Sequence, residues 1–167
     1  MPAGITRPNF DEYFMRIALT VRSRANCMGR HVGAVLVKDR RIIATGYNGT
    51  PIGMPNCTEG GCTRCRHRDD KFLKGRDYDK CICVHAEQNA ILQAARFGTA
   101  VDGAILYSTL QPCFGCAKEA LQAGVKGIVY LKAFEAGADD PELAEQYKLI
   151  LSTFPDGCRH LPLAGEE

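Results

Sequence analysis

Two short motifs carry the residue types that do chemistry. His85-Ala86-Glu87 sets an imidazole two residues before a carboxylate, and Pro112-Cys113-Phe114-Gly115-Cys116 sets two thiols three residues apart. Each follows loop or strand-like sequence and opens an apolar helical pattern, so each is expected at a helix N-terminus. One imidazole and two thiolates make a three-ligand set for zinc, whose tetrahedron keeps a fourth position for water; four protein ligands would close the site in a structural role. Helix dipoles favour the anionic ligands and lower thiol pKa values. Bound zinc lowers the pKa of water from about 15.7 toward 7. Glu87 is not needed as a ligand and can take that water's proton and pass it on. A Cys-x-x-Cys alone also serves redox chemistry or structural zinc, and His-x-Glu alone recurs by chance. In this order, each at a helix start with a strand between, they point to catalytic zinc on His85, Cys113 and Cys116, with Glu87 as proton shuttle.

The rest of the chain must position these groups. Its 167 residues are read as a single domain, 1–167, large enough to bury a core. With 21 Lys and Arg against 19 Asp and Glu, the net charge of +2 argues against binding nucleic acid by field alone. No apolar run approaches the roughly 18 residues of a membrane span, and the first ten residues hold no apolar signal core. Nine cysteines, an odd number, argue against a disulfide framework and for thiolate metal ligation in a reducing cytoplasm.

Asn9 and Glu12 form a capping box for a first helix running to about Asn26. Val32–Val37 and Arg41–Tyr47 read as a hairpin turning at Lys38-Asp39-Arg40. Helices follow from His85 to Gly98, from Pro112 to Gly124 and from Glu142 to about Leu151. Strands are expected at Ala104–Thr109 and Gly127–Lys132, with a short last one within 158–163. Residues 50–84 have no periodicity, and a structureless insert of that length needs something to tie it down.

His-x-Glu followed by Pro-Cys-x-x-Cys is the signature of zinc nucleobase deaminases. The sequence also resembles, over about residues 10–155, the deoxycytidylate (dCMP) deaminases of the cytidine-deaminase superfamily. The matching segments are Gly46-Tyr47-Asn48-Gly49-Thr50-Pro51, His85-Ala86-Glu87-Gln88-Asn89-Ala90-Ile91, Pro112-Cys113-Phe114-Gly115-Cys116-Ala117-Lys118 and Gln122-Ala123-Gly124-Val125-Lys126. The resemblance implies an α/β, three-layer α/β/α fold with a central mixed five-stranded sheet. It implies zinc-dependent hydrolysis of dCMP to dUMP and ammonia in pyrimidine nucleotide metabolism. It implies a homo-oligomer, commonly a hexamer, activated by dCTP and inhibited by dTTP with magnesium.

The chemistry fits cytosine C4 and adenine C6 equally, so the pocket must choose the substrate. In the family resembled, the Tyr-Asn-Gly turn lies beside the nucleotide, which makes Asn48 the candidate for the sugar hydroxyl, with Tyr47 and Asn89 as further candidates. Asn48 serves equally as a residue that takes a left-handed turn conformation, and Asn89 as a packing amide. Arg22, Arg24, Arg30, Lys118 and Lys126 are the cations available for a phosphate, and spacing selects none of them. A tRNA adenosine or DNA cytosine deaminase would share the zinc motifs but need a basic groove and stacking aromatics; the absence of Trp and the small net charge weigh against it. A non-catalytic zinc module would be indifferent to Glu87→Gln.

Cys57, Cys62, Cys65, Cys81 and Cys83 fall within 27 residues of the insert. In phage and bacterial members of the family resembled, a second zinc is held at positions matching Cys27, Cys57 and Cys83. Its fourth ligand here is Cys62, Cys65 or Cys81, with His67 a weaker option. Six thiols exceed what one ion uses: they bind a second ion or leave two free. Free cysteines are often small buried hydrophobes, but this segment is polar and Gly-rich and has little core to bury them in. A metal would supply the energy to order the insert over the active site. Cys158 reads as a strand or core thiol. Residues 57–84 hold seven Lys or Arg against five Asp or Glu, the whole positive excess of the chain, which suits a phosphate-facing lid or a solvated loop.

Overall fold

The computed structural model describes residues 7–67, 81–134, 137 and 139–166. Helix α1 (Phe10–Arg22) starts at the expected capping box: the Asn9 carboxamide oxygen accepts from the Glu12 N–H at 2.9 Å, and the Glu12 carboxylate accepts from the Asn9 N–H at 3.0 Å. It stops four residues short of Asn26, because the Asn26 N–H bonds across the chain to the Asn48 carbonyl at 3.2 Å. Strands β1 (Gly33–Lys38) and β2 (Arg41–Tyr47) form the hairpin, with Lys38 paired to Arg41 and a two-residue turn at Asp39 and Arg40. Both turn residues have positive φ, 49° and 60°, the primed-turn geometry that matches strand twist.

The insert is more regular than its sequence suggests. It holds a 3₁₀ turn at Cys57–Glu59 and the short helix α2 (Thr63–Arg66). The charges on which the lid reading rests lie largely in residues 68–80, outside the described residues. Beyond the insert come α3 (Ala86–Arg96), β3 (Ile105–Leu110), α4 (Phe114–Gln122), β4 (Gly127–Lys132), α5 (Pro141–Thr153) and β5 (Cys158–His160). Helix α5 opens on Asp140, whose carboxylate accepts from the Leu143 N–H at 3.0 Å, with Pro141 in the first turn. Strand β5 covers only three of the residues expected in 158–163.

The five strands make one mixed sheet in the order β2-β1-β3-β4-β5. Strand β1 is antiparallel to β2 and β3, while β3, β4 and β5 are parallel and joined through α4 and α5. Side chains alternate by the two-residue period of a strand. Val35, Val37, Tyr107, Val129 and Leu131 pack under Phe14, Met15 and Ala18 of α1. Leu36, Leu106 and Ile128 face Ala86, Ala90 and Ala94 of α3, Ala120 of α4 and Phe154 after α5. The result is three layers, α1, the sheet, then α3, α4 and α5. Among the described residues no helix is long and apolar enough to cross a membrane.

Two glycines allow these layers to close on each other. A Cβ on Gly33 would lie 2.1 Å from the Ala18 carbonyl oxygen of α1, and one on Gly46 would lie 2.1 Å from the Ala86 carbonyl oxygen of α3. Gly46 therefore seats the first turn of α3 directly on β2.

Candidate active site

His85 precedes α3 in an extended conformation, and its backbone N–H donates to the Gln88 side-chain oxygen at 3.0 Å. Val84 before it is bridged to Gly49 by two backbone bonds, of 2.8 and 3.2 Å. Cys113 takes the same N-cap position on α4. The Pro112 carbonyl accepts from the buried Tyr147 hydroxyl of α5, and Gln88 of α3 donates to the Glu119 carboxylate of α4 at 3.0 Å. These ties hold both helix starts at the same end of the sheet. His85 Nδ1 stands 3.3 Å from Cys116 Sγ and 3.5 Å from Cys113 Sγ, and all three ligand atoms lie within 4.8 Å of one another. Zinc bonds of about 2.0–2.3 Å to nitrogen and sulfur fit inside that triangle.

Glu87, in the first turn of α3, is 4 % exposed, and its carboxylate accepts from the Ser108 hydroxyl of β3 at 3.1 Å. Burial pushes the Glu87 carboxyl above its ordinary range. Contact with the Cys116 thiol, followed by the bond to His85, brings Cys113 down to about 4 against the opposing effect of burial. The same thiol contact, together with burial, pushes Cys116 up. The hydrogen bond with Cys113 raises His85.

The Tyr47-Asn48-Gly49 turn adjoins this site, since Asn89, four residues along from His85, donates to the Tyr47 carbonyl at 2.7 Å. Tyr47 keeps its side chain 37 % exposed. Asn48 is buried, its oxygen accepting from the Val32 N–H at 2.8 Å and its NH₂ donating to the Arg30 carbonyl at 2.7 Å. The left-handed alternative for Asn48 is not what is found: among the described residues only Asp39 and Arg40 combine a side chain with positive φ. Its amide braces the turn and retains one donor and one acceptor position.

Of the candidate phosphate cations, Arg22 pairs with Glu166 at 3.4 Å and Lys126 with Asp156 at 3.2 Å. Lys126 precedes β4 and so sits at the opposite end of the sheet from Cys113. Lys118 lies over the Phe114 ring and Arg30 6.0 Å from the Phe134 ring, both at the site's end. Ser108 and Tyr147 have no motif that marks them. The one hint is that Ser108 and its neighbour Thr109 are polar residues buried in a strand that is otherwise largely apolar.

The six remaining candidate thiols form a cluster of their own. Cys27, Cys57, Cys62, Cys65 and Cys83 are buried together, with Cys81 packed against them. Three triads, Cys27–Cys57–Cys65, Cys57–Cys62–Cys83 and Cys62–Cys65–Cys81, each bring their sulfurs within 4.8 Å of one another; His67 is in none of them. Asn26 ties the strands of loop together, its side-chain oxygen accepting from the Thr50 and Cys57 N–H groups at 3.2 and 3.4 Å and its NH₂ donating to Asn56 at 2.8 Å. Burial pushes Cys27, Cys65 and Cys83 up. Burial acts on Cys62 too, but hydrogen bonds from the Cys65 and Ile82 backbone and from neighbouring thiols bring it to about 7. Cys158 starts β5 and packs on the helix-side core, as expected of a strand thiol, and burial pushes it to about 11.

The family model of the cytidine and deoxycytidylate deaminase zinc-binding region matches residues 8–132. The deoxycytidylate deaminase of Schizosaccharomyces pombe is 44% identical over 139 residues, 83% of this chain and 42% of that protein. That of Saccharomyces cerevisiae is 43% identical over 79% of this chain and 40% of its own length. The chain thus spans about two-fifths of the length of these two relatives. The deoxycytidylate deaminase of Mycobacterium phage D29 is 41% identical over 77% of this chain and 98% of its own. Among solved structures, the dCMP deaminase of the cyanophage S-TIM5 in complex with dCMP and dUMP superposes with a TM-score of 0.68 at 28% identity, over 93% of this chain and 99% of that one.

Proposed function

The chain belongs to the cytidine and deoxycytidylate deaminase family, and from that premise we propose that it hydrolyses dCMP to dUMP and ammonia. The observation that supports this most is the convergence of His85, Cys113 and Cys116 at ligand spacing beside the buried carboxyl of Glu87. When bound there, zinc supplies hydroxide at neutral pH by lowering the pKa of water. Glu87 accepts the water's proton and delivers it to N3 as oxygen adds to C4. It then takes the proton of the added hydroxyl and gives it to the departing amine, so that the C4–N bond breaks and ammonia leaves. The Ser108 hydroxyl aims the carboxyl, and burial lets it hold a proton between the two transfers.

Asn48 binds the sugar hydroxyl through its remaining amide positions, with Tyr47 and Asn89 shaping the same turn. Arg30, on the site's end of the sheet, meets the phosphate. A second, structural zinc takes Cys27, Cys57 and Cys83 with one of Cys62, Cys65 or Cys81. The family resemblance adds a hexamer, with magnesium and the effectors dCTP and dTTP, and the odd number of cysteines adds a reducing cytoplasm.

Ammonia release from dCMP, dCTP, cytidine and tRNA, with Glu87→Gln as control, tests the reading. Turnover of dCMP that is lost in the variant is expected. Turnover of dCTP or tRNA without dCMP overturns the substrate, and undiminished release by the variant overturns the mechanism.

A further inference from the structure

We propose that Cys27 and the five thiols of the insert hold two zinc ions in one thiolate-bridged cluster, so that each chain carries three zinc ions in all. This deepens the proposed second site and rests on it, but is independent of which nucleotide is deaminated. The carrying observation is the overlap of the three triads. Cys57, Cys62 and Cys65 each belong to two of them, whereas Cys27, Cys81 and Cys83 each belong to one. Zinc–sulfur bonds of about 2.3 Å place the sulfurs of one tetrahedron about 3.8 Å apart, and each triad, with its sulfurs within 4.8 Å of one another, is close enough to supply one tetrahedral face.

A single ion uses four sulfurs, and any choice of four leaves two others that still share triads with the chosen ones. If Cys27, Cys57, Cys83 and Cys62 are taken, Cys65 and Cys81 remain, and these two already form a triad with Cys62. Two tetrahedra need eight ligand positions, which six sulfurs fill when two of them bridge. The terminal pairs then separate by place. Cys27 and Cys83 each share a triad with Cys57 at one end, and Cys81 sits against Cys62 and Cys65 at the other. The bridges come from the three doubly shared thiols.

Charge and burial agree with this. Two zinc ions with six thiolates carry the same formal charge as one ion with four, so the second ion recruits two more ligands without adding buried charge. Backbone N–H groups already point at the sulfurs, from Met28 to Cys57 and from Gly29 to Cys27, each at 3.3 Å. Ordinary core cysteines pack among other apolar side chains, yet the buried members of this cluster are cysteines alone.

The test is metal content of the purified full chain by elemental analysis and native mass spectrometry, paired with cadmium NMR of the substituted protein. Three zinc ions per chain are expected, falling to two in Cys116→Ala, which touches only the His85 site. The cadmium spectrum should contain two all-thiolate resonances split by coupling through a shared sulfur. Two ions in the unaltered chain, or two uncoupled resonances, overturn the bridged cluster while leaving one structural ion. One ion overturns the second site altogether. Cys81→Ser, which removes a terminal ligand at the less buried end, should lose one ion and both couplings even where Cys57→Ser fails to fold. Failure to deaminate dCMP alters none of these readouts, so the two readings fail separately.

Discussion

The two thiol-bearing regions of this chain are built in opposite ways. His85 and Cys113 cap α3 and α4, Cys116 lies in the first turn of α4, and what holds them belongs to the layered frame. Gly46 seats α3 on β2, Tyr147 holds the Pro112 carbonyl, and Ser108 holds Glu87. Cys27 and the five insert cysteines come from a loop, a 3₁₀ turn, a four-residue helix and an extended segment. In the first region the fold organises the ligands; in the second the proposed zinc ligands would organise the fold. Metal at the first should therefore matter chiefly to turnover, and at the second chiefly to stability.

The largest expected effect lies in the insert. Structural zinc supplies an apparent ~10–16 kcal/mol in small zinc domains, as much as the whole stability of many domains, about 5–15 kcal/mol. Cys57→Ser should lower the melting temperature sharply and strip hydrogen-exchange protection from residues 50–67. A melting curve and protection pattern like those of the parent chain would break the comparison. Glu87→Gln should be the mirror image, with kcat down about 10²–10⁴-fold and both zinc content and melting temperature preserved. Loss of bound zinc in that variant would show that the two regions are not separable.

Gly46→Ala sharpens the contrast within the frame. Its Cβ would be driven into the Ala86 carbonyl, so α3 must move, at about 1–3 kcal/mol. Because His85 and Glu87 ride on α3, turnover should fall along with stability, as denaturant melts and steady-state kinetics would register together. Tyr147→Phe should have the smallest effect. It removes one hydrogen bond to Pro112, worth about 1 kcal/mol, and should weaken zinc retention at Cys113 in a chelator competition while leaving the insert's ions in place. Equal loss from both regions would argue that α5 supports more than this one carbonyl.

Local signals made much of the frame readable. Asn9 with Glu12, Asp140 with Pro141, and the apolar runs around Val35 and Leu106 each act on neighbours close in sequence, and the elements formed where those signals lie. The regular pieces of the insert were not readable, since Cys57–Glu59 and Thr63–Arg66 are too short to show a period. The end of α1 was missed because Asn26 answers to Asn48 and Asn56, far along the chain. Asn48 itself was ambiguous between turn former and ligand, and the structure removes the first option by giving it a negative φ and a bracing role.

What the sequence determined by itself is the set of candidate groups: one His and two Cys as ligands with a Glu beside them at helix starts, and a surplus of thiols in a polar insert. Residue type and spacing within one element suffice for that. What only the tertiary structure decided is which of those groups meet. Ser108 reaches Glu87 from a different element, Tyr147 reaches Pro112 from another, and the six thiols sort into overlapping triads across 57 residues of chain. Such meetings depend on how layers pack and loops close, and no periodicity along the chain records them.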